Sequence, residues 1–514
     1  MTWQNSAITI TTLLPVVGAL LILLVPKEKD RLIRGLGVAV TGVALVLAVA
    51  LTVGFHFSAS GLQYALDVRW IDAIGARYHV GIDGISLPLY VLTYVLSFLC
   101  AIYTWRYVPS PGKTKAFIAL MLLLETGMAG TFIAFDLVLF FVFWELVLVP
   151  MYFLIGIWGS ANREYAAIKF FLFTLFGSVF MLLGFLAMYF SGPSPHTFDL
   201  LKLQEFGQAG GFTHTFQLLA FGGIALGLAV KVPMWPVHTW LPDAHTEAPT
   251  IGAVLLAGVM LKMGTYGFIR IAIPLLPYGA QKFAPWIGLL AAIAIVYAAL
   301  ACLAQKDLKR LIAFSSVGHM GFVMLGIATM TTIGIQAAIF GMVAHGLITG
   351  MLFFCVGSIY DRYHTREISL IGGGMSQVMP KMAAIFSFVA IASLGLPGLA
   401  GFWGEVMALL SSFNPSHALA LNVGLYRGFM VAGGIGTVLT AGYFLWMLQR
   451  VNMGTLSDKW RDASFKDVLP VEWLSWVPLL VMIVILGLAP HLVFGVTDGA
   501  VNHLVSGLQH VFGG

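Results

Sequence analysis

Charged residues are scarce in this sequence. Aspartate, glutamate, lysine and arginine make up only 10% of the 514 residues, whereas hydrophobic residues make up 59%. A soluble domain of this length needs far more charge to cover its surface. The composition therefore excludes a soluble globular protein and indicates a chain embedded in a membrane.

Cysteine and long polar segments are scarce as well. The three cysteines, Cys100, Cys302 and Cys355, lie far apart and form no CxxC pair. Iron–sulfur and zinc sites usually need closely spaced ligands, so we expect neither in this chain. The longest polar stretches, 56–82, 191–213 and 450–472, are too short for a separate soluble catalytic domain.

Long apolar runs are abundant, and each is long enough to cross a hydrocarbon core of about 30 Å as a helix. We predict an all-α polytopic membrane protein with about fourteen transmembrane helices. The predicted spans are 5–25, 33–55, 84–106, 116–135, 137–158, 166–190, 214–237, 250–273, 286–304, 308–328, 333–360, 381–411, 424–449 and 473–493.

The lysines and arginines are distributed unevenly between the two sides of this map. Loops on one side hold 19 of them and loops on the other hold six, and two lie inside spans. Basic residues are enriched on the cytoplasmic side of membrane proteins. We therefore expect both termini on the external, periplasmic face of a bacterial cytoplasmic (inner) membrane, which agrees with an even number of spans.

An internal duplication is predicted from matching features in two blocks of five spans. Asp136 precedes the fifth span and Asp307 the tenth, and prolines interrupt the seventh span (Pro233) and the twelfth (Pro397). Since five is odd, the blocks have opposite orientations, and inverted repeats with broken helices are typical of transporters. We divide the chain into an N-terminal three-helix segment (1–115), two five-helix repeats (116–273 and 286–450) and a C-terminal loop and helix (451–514).

Four charged residues lie inside predicted spans: Glu145, Lys231, Lys262 and Glu405. A charge at this depth costs several kcal/mol, so each needs an explanation. Static ion pairs that fix two helices together are one explanation. Four such residues with both signs, on four helices, favour a second one, a proton relay.

The proline breaks and two histidines support the relay. Each break frees backbone carbonyls, which hydrocarbon tolerates only where water or polar groups satisfy them. We therefore expect hydration beside Lys231 and Glu405, with Glu145 as the partner of Lys231. His319 and His345 also lie within spans, where imidazole can pass protons on. The alternative for each histidine is a packed, hydrogen-bonded side chain.

Other polar residues have simpler interpretations. Asp136 stands where a carboxylate favours a helix start, although a proton entrance is an alternative. Glu125 is either a further relay member or a hydrogen-bonding partner of a neighbouring helix. The run 238–250 contains His238, Asp243, His245 and Glu247, but the spacing and prolines argue against a metal site.

Four stretches resemble a known family: FDLVLFFVFWELVLVPMYFLIGIWG (135–159), VKVPMWPVHTWLPDAHTEAPT (230–250), QKDLKRLIAFSSVGHMGFV (305–323) and LGLPGLAGFWGE (394–405). They are similar to the antiporter-like membrane subunits of proton-pumping NADH:quinone oxidoreductase, respiratory complex I. The chain length and Glu405 resemble the chain M branch, the counterpart of mitochondrial subunit 4.

The resemblance implies a non-redox, proton-translocating subunit of that enzyme, between antiporter-like chains L and N in the lipid bilayer. Flavin, iron–sulfur clusters and quinone would belong to other subunits, and this chain would hold no cofactor or metal and bind no nucleic acid. The implied relay has Glu145 and Lys231 as input pair, Lys262 at the centre, His319 and His345 as connection, and Glu405 as outlet.

Two other functions remain open from the residues alone. Multi-subunit cation/proton antiporters share the same motifs, so the chain is alternatively a subunit of such an antiporter. A structural membrane spacer is the third hypothesis, and it predicts that substitutions of Glu145 or Lys231 leave proton pumping intact.

Overall fold

The computed structural model describes residues 3–57 and 59–513, which are mostly helical. Within these residues, thirteen helical segments are long and apolar enough to cross a membrane. The twelfth predicted span is present as two shorter helices, so each of the fourteen predicted spans has its counterpart in the described part of the chain. The prediction of a polytopic helical membrane protein is confirmed.

The first elements are α1 (Trp3–Leu24), α2 (Asp30–Val53), β1 (Gln63–Ile71), β2 (Ala76–Ile82), α3 (Leu87–Thr104) and α4 (Thr114–Ile133). They are followed by α5 (Leu137–Leu146), α6 (Leu148–Trp158), α7 (Arg163–Ser191), α8 (Leu200–Gln208), α9 (His214–Lys231), α10 (Trp240–Glu247), α11 (Thr250–Leu255), α12 (Leu261–Gly267) and α13 (Ile273–Leu275). Two π-helical turns, Leu256–Met260 and Phe268–Ala272, join α11, α12 and α13 into one span.

The remaining helices are α14 (Pro277–Leu303), α15 (Leu308–Ala328), α16 (Thr332–Tyr363), α17 (Ile368–Ile371), α18 (Met375–Val378), α19 (Pro380–Ser393), α20 (Ala400–Phe413), α21 (Val423–Val451), α22 (Pro470–Leu488) and α23 (His491–Gly513). Short 3-10 turns occupy Asp72–Ile74 and Asp458–Trp460.

The polar stretch 56–82 contains an antiparallel hairpin, which the predicted spans do not include. Strands β1 and β2 pair in the register Leu66↔Val80 and Val68↔Tyr78. Alternation of apolar and polar residues in QYALDVRWI is the sequence signal for a strand with one covered face. We call the membrane face that carries this hairpin the hairpin face, and the opposite face, with most lysines and arginines, the basic face.

The end of the chain also differs from the prediction. The fourteenth span ends at Leu488 rather than near residue 493, and Pro490 precedes a separate helix, α23. Helix α23 buries one side, on which Val493, Val501 and Leu508 recur at helical spacing. It lies along the hairpin face, because its backbone approaches Gly84 at the end of the hairpin.

Both predicted helix breaks are present. Helix α9 ends at Lys231 and α10 begins eight residues after Val232, at Trp240, with Pro233 and Pro236 between them. Helix α19 ends at Ser393, and Gly395 adopts a positive φ of 76° before α20 begins. Glycine takes this left-handed conformation without the steric cost of a Cβ atom.

Two matching corners precede the fifth and tenth spans. The Asp136 carboxylate accepts hydrogen bonds from the amides of Val138 and Leu139, and Asp307 caps α15 in the same way. Asp136 also forms an isolated β-bridge with Asp199, and Asp307 forms one with Glu367. These corners fit the proposed duplication, but the inverted repeats and the domain boundaries stay predictions.

The Asp136 corner is tied to the hairpin. The amide of Arg77 donates to Asp136 Oδ2 at 3.0 Å, and His79 Nδ1 lies 2.8 Å from Asp199 Oδ2. Burial opposes ionisation of Asp199, but the hydrogen bonds from His79 and from the Lys202 amide outweigh it and lower the pKa of this carboxyl. The geometry identifies Asp136 as a helix cap.

We expect Asp136→Ala to destabilise this corner by about 1–2 kcal/mol, since a lost N-cap costs that much and three amides lose their acceptor. The check is the rate of heat inactivation of the detergent-extracted protein in its complex. Asp72→Ala, at an exposed hairpin acid, is the matched control. Equal stability of the two variants would contradict the capping role.

Candidate functional site

Lys262 lies on α12, in the middle of the eighth predicted span (250–273), and is fully buried. A π-helical turn precedes α12 and a second one follows it. Such turns occur often at functional sites, because they rotate side chains and disturb the backbone ladder. Lys262 Nζ donates to the carbonyl of Ala257, within the first π turn, and lies 2.7 Å from His345 Nδ1.

His345 and His319 continue the contact from α16 to α15. Their ring centroids are 5.7 Å apart. His319 Nδ1 lies 2.9 Å from Glu405 Oε1 on α20, and its Nε2 lies 2.9 Å from the hydroxyl of Ser393. Lys262, His345, His319 and Glu405 therefore form one file, which we call the relay file, across four helices.

The second helix break positions the Glu405 end of this file. Ser393 is the last residue of α19, and its hydroxyl is the group that contacts His319. The sequence predicts free backbone carbonyls at this break, whereas the group that contacts His319 is a side-chain hydroxyl. Gly404 allows α20 to approach α16 closely, since a Cβ there would lie 2.7 Å from Gly341 Cα.

A small polar cavity lies between the two histidines and Glu405. Its volume is about 30 Å³, and its lining includes Thr349 and Ser393. Among the described residues, His345 Nε2, Glu405 Oε2 and Thr349 Oγ1 have no hydrogen-bond partner and are buried. A cavity of this volume with polar atoms in its lining has room for a water molecule. Such a water would join His345 to Glu405.

The input pair has a looser geometry. Glu145 lies near the end of α5, and Lys231 is the last residue of α9. Within the described residues the two side chains form no ion pair at 4.0 Å or less. Lys231 Nζ instead lies 5.1 Å from the centre of the Trp144 ring, in cation–π contact. The predicted pairing is therefore not a direct contact in this structure.

His245 was missed as a relay candidate. It is fully buried in α10, directly after the first helix break, and its ring stacks on Phe353 at 4.7 Å. Neither ring nitrogen has a hydrogen-bond partner among the described residues. Neutral imidazole has one donor and one acceptor to satisfy. Its position between the two lysines of consecutive spans, Lys231 and Lys262, was the available signal.

The two carboxylates of the run 238–250, Asp243 and Glu247, lie close to basic side chains. Asp243 contacts Lys169 at 2.6 Å and Arg310 at 3.0 Å. Glu247 accepts from the amide of Asn162 and lies 3.7 Å from Arg366. These contacts fix α10 against α7 and α15, and they explain the acids without a metal ion.

Comparison with known proteins first gives the class. Residues 134–430 match the family described as "NADH:quinone oxidoreductase/Mrp antiporter, TM". The matched region contains the relay file and both input residues. The chain therefore belongs to this class of antiporter-like membrane subunits.

Relatives that match over nearly their full length identify the branch of this family to which the chain belongs. The chain is 41% identical over 513 residues to NADH-quinone oxidoreductase subunit M of Rhodobacter capsulatus, with 98% of this chain and 97% of the relative covered. It superposes on a chain of respiratory complex I from Thermus thermophilus with a TM-score of 0.86 and 30% identity, covering 99% and 100% of the two chains. The chain belongs to the NADH-quinone oxidoreductase subunit M (chain 4) family.

A second structural likeness shows the fold alone. A chain of the Mrp complex from Dietzia sp. DQ12-45-1b superposes with a TM-score of 0.84, but the two sequences are only 20% identical. The coverage is 99% of each chain. The same arrangement of spans therefore occurs in both kinds of complex.

We expect one ordered water within about 3 Å of His345 Nε2 and Glu405 Oε2, since both atoms line the cavity without a protein partner. A high-resolution map of the assembled complex checks this. Thr349→Val keeps the side-chain shape and removes one hydrogen-bond partner of this water, so the density for the water should weaken. Thr174→Val, whose hydroxyl bonds only within its own helix, is the control. An empty cavity in the unsubstituted protein would contradict the prediction.

Proposed function

We propose that this chain translocates protons across the membrane as a membrane-arm subunit of NADH-quinone oxidoreductase. The continuous relay file from Lys262 through His345 and His319 to Glu405 is the observation that carries the proposal. Its members are all protonatable, and adjacent members are in contact or share the small cavity. Stability alone does not account for it, because apolar packing would stabilise the same helices at lower cost.

The geometry supports a direction of transfer along the membrane. A protonated Lys262 donates to His345 Nδ1, which leaves the proton of a neutral His345 on Nε2, facing the cavity. When Lys262 transfers its proton to Nδ1, the Nε2 proton leaves through water to the Glu405 carboxylate or to His319, and His345 stays neutral. His319 Nδ1 contacts the Glu405 carboxylate and Nε2 contacts the Ser393 hydroxyl. These two contacts fix the orientation of the His319 ring.

The input pair acts as the switch. Glu145 and Lys231 are apart in this structure, and at the first helix break the carbonyls of Ala229 and Val230 accept hydrogen bonds from the Met234 amide and from Trp240 Nε1. A carboxylate close to an ammonium stabilises both charges strongly at low dielectric constant. Movement of Glu145 toward Lys231 therefore retains a proton there, and separation releases it toward Lys262. His245, between the two lysines in sequence and fully buried, is the group that we place on this route.

The redox chemistry belongs to other subunits of the complex. We propose that flavin, iron–sulfur clusters and quinone are bound there and that this chain holds no cofactor. Its neighbours would be the antiporter-like chains L and N, and its surroundings the lipid bilayer. Glu405, at the far end of the relay file, would face one of these neighbours and serve as the outlet.

A subunit of a cation/proton antiporter is the second candidate. The relay motifs do not separate the two functions. The 41% identity over nearly the full length to subunit M, against 20% for the Mrp chain, favours the NADH-quinone oxidoreductase. The discriminating measurement is whether the purified chain is found with the subunits of the quinone reductase.

We expect Glu145→Gln and Lys231→Met to reduce proton pumping more than tenfold, because each removes a charge that the switch requires. NADH oxidation coupled to quinone should fall in parallel, while reduction of artificial acceptors should persist. The measurement is acidification of inverted membrane vesicles that contain the assembled complex. Lys282→Met is the matched control, since Lys282 is exposed and stacks on Tyr278. Normal pumping in both relay variants would support a structural spacer instead.

Orientation gives a separate prediction. We expect Gly61→Cys, in the loop before β1, to react with an impermeant thiol reagent from the periplasmic side. Thr455→Cys, in the loop after α21, should react only after the cytoplasmic side is opened. The three native cysteines are buried, so the background is low. The reverse pattern would place both termini in the cytoplasm. Residues 1–2 and 514 themselves lie outside the described residues.

A further inference from the structure

Three side chains that can ligate a metal meet at the hairpin face, outside the relay file. Asp67 of β1, His79 of β2 and Asp199, which caps α8, each place one donor atom at the same point, and these three atoms lie within 4.8 Å of one another. An imidazole nitrogen together with carboxylate oxygens is a ligand set that zinc accepts. The proposed proton relay uses none of these residues.

The strand register brings the first two ligands together. Asp67 and His79 are direct partners across the antiparallel hairpin, and the Cβ atoms of such partners lie about 5 Å apart on the same side of the ribbon. The His79 carbonyl accepts from the Phe135 amide at 2.8 Å, which ties β2 to the corner before α5. The backbone that carries the buried His79 ring is therefore held on both sides.

The helix that Asp199 caps holds the second carboxylate in place. Asp199 Oδ1 accepts from the Lys202 amide at 3.0 Å, and Asp199 Oδ2 lies 2.8 Å from His79 Nδ1. The side chains of His79 and Asp199 are only 10% and 5% exposed. Two of the three donor atoms are thus already in position, which lowers the entropic cost of binding an ion.

Asp67 supplies the third ligand, which can move. Its side chain is 40% exposed and pairs with Arg77, whose Nε lies 2.5 Å from Asp67 Oδ1. An exposed ion pair contributes little stability, so a metal ion can replace the guanidinium. Donor atoms around a tetrahedral zinc ion lie about 3.3–3.5 Å apart. A movement of the Asp67 carboxylate by about 1–1.5 Å therefore completes the site.

We propose that Asp67, His79 and Asp199 bind a zinc ion from the aqueous phase at the hairpin face, with water as the fourth ligand. Zinc takes the place of the proton on His79 Nδ1, and the neutral ring then carries its proton on Nε2. The ion is bound reversibly and is not a cofactor of the reaction, so the proposal does not depend on the proposed function. The family resemblance implied no metal in this chain, and this site departs from that expectation.

Zinc binding to the assembled complex, after removal of loosely bound metal with a chelator, tests the proposal. Equilibrium dialysis with radioactive zinc gives the number of bound ions and their Kd. We expect Asp67→Asn to weaken one site about tenfold or more, because it removes a charged ligand. Asp72→Asn, at another exposed acid of the hairpin, is the matched control. Equal zinc affinity in the Asp67→Asn complex and the unsubstituted complex would overturn the site.

The competing guanidinium provides a test with the opposite sign. Arg77→Gln keeps the backbone amide that donates to Asp136 and removes the charge that pairs with Asp67. We expect zinc to bind about two- to fivefold more tightly, the equivalent of an exposed ion pair that no longer has to be broken. Unchanged or weaker binding in Arg77→Gln would contradict this arrangement of ligands.

Metal preference and heat stability complete the test. An excess of Mg²⁺ should leave zinc in place, since Mg²⁺ prefers six oxygen ligands. Zinc should slow the heat inactivation of the unsubstituted complex but not of Asp67→Asn, because an ion that binds only the folded state stabilises it. Displacement of zinc by Mg²⁺ would indicate general attraction of cations to acids and would overturn a zinc site, as would equal heat protection of both complexes.

Discussion

The cost of charge in hydrocarbon governs this structure. An ionised side chain in the bilayer core must be paired, hydrogen-bonded or hydrated, or it must lose its charge. Lys262 meets this demand with the Ala257 carbonyl and His345, and Glu405 meets it with His319. Each solution brings another protonatable group into contact. The contacts that stabilise these charges therefore also link the protonatable groups to one another.

The breaks in the spans provide the polar surroundings. A regular transmembrane helix uses all its backbone groups internally and offers none to a side chain. At the end of α19 the side-chain hydroxyl of Ser393 contacts His319, and the π turn before Lys262 supplies the backbone carbonyl that accepts from its ammonium. Irregular backbone at membrane depth is tolerated here because it lies inside the protein and lines a small polar cavity. The irregularities thus occur where the charges lie.

Much of this arrangement could be predicted from the sequence. Hydropathy located the spans, the prolines located both breaks, and the rarity of buried charge singled out Glu145, Lys231, Lys262 and Glu405. The contacts themselves could not be predicted, because 83 residues separate Lys262 from His345 and no local pattern encodes their distance. His245 was overlooked because Pro242 and Pro249 on either side of it suggested a rigid loop. The hairpin and α23 were missed because amphipathic segments give a weak signal beside long apolar runs.

The two π turns around α12 have a geometric consequence. Each π turn adds one residue to a helical turn, which changes the phase of everything beyond it by about 100° relative to a regular α-helix. Lys262 thus points toward His345 because an extra residue precedes it, and Arg270, which contacts Asp83 at 2.5 Å, lies within the second π turn. Deleting one residue from the first turn would leave hydropathy and length almost unaltered, yet it would aim the ammonium at a different neighbour. The direction in which Lys262 points therefore depends on the number of residues in the preceding π turn. The type of side chain at position 262 does not determine it.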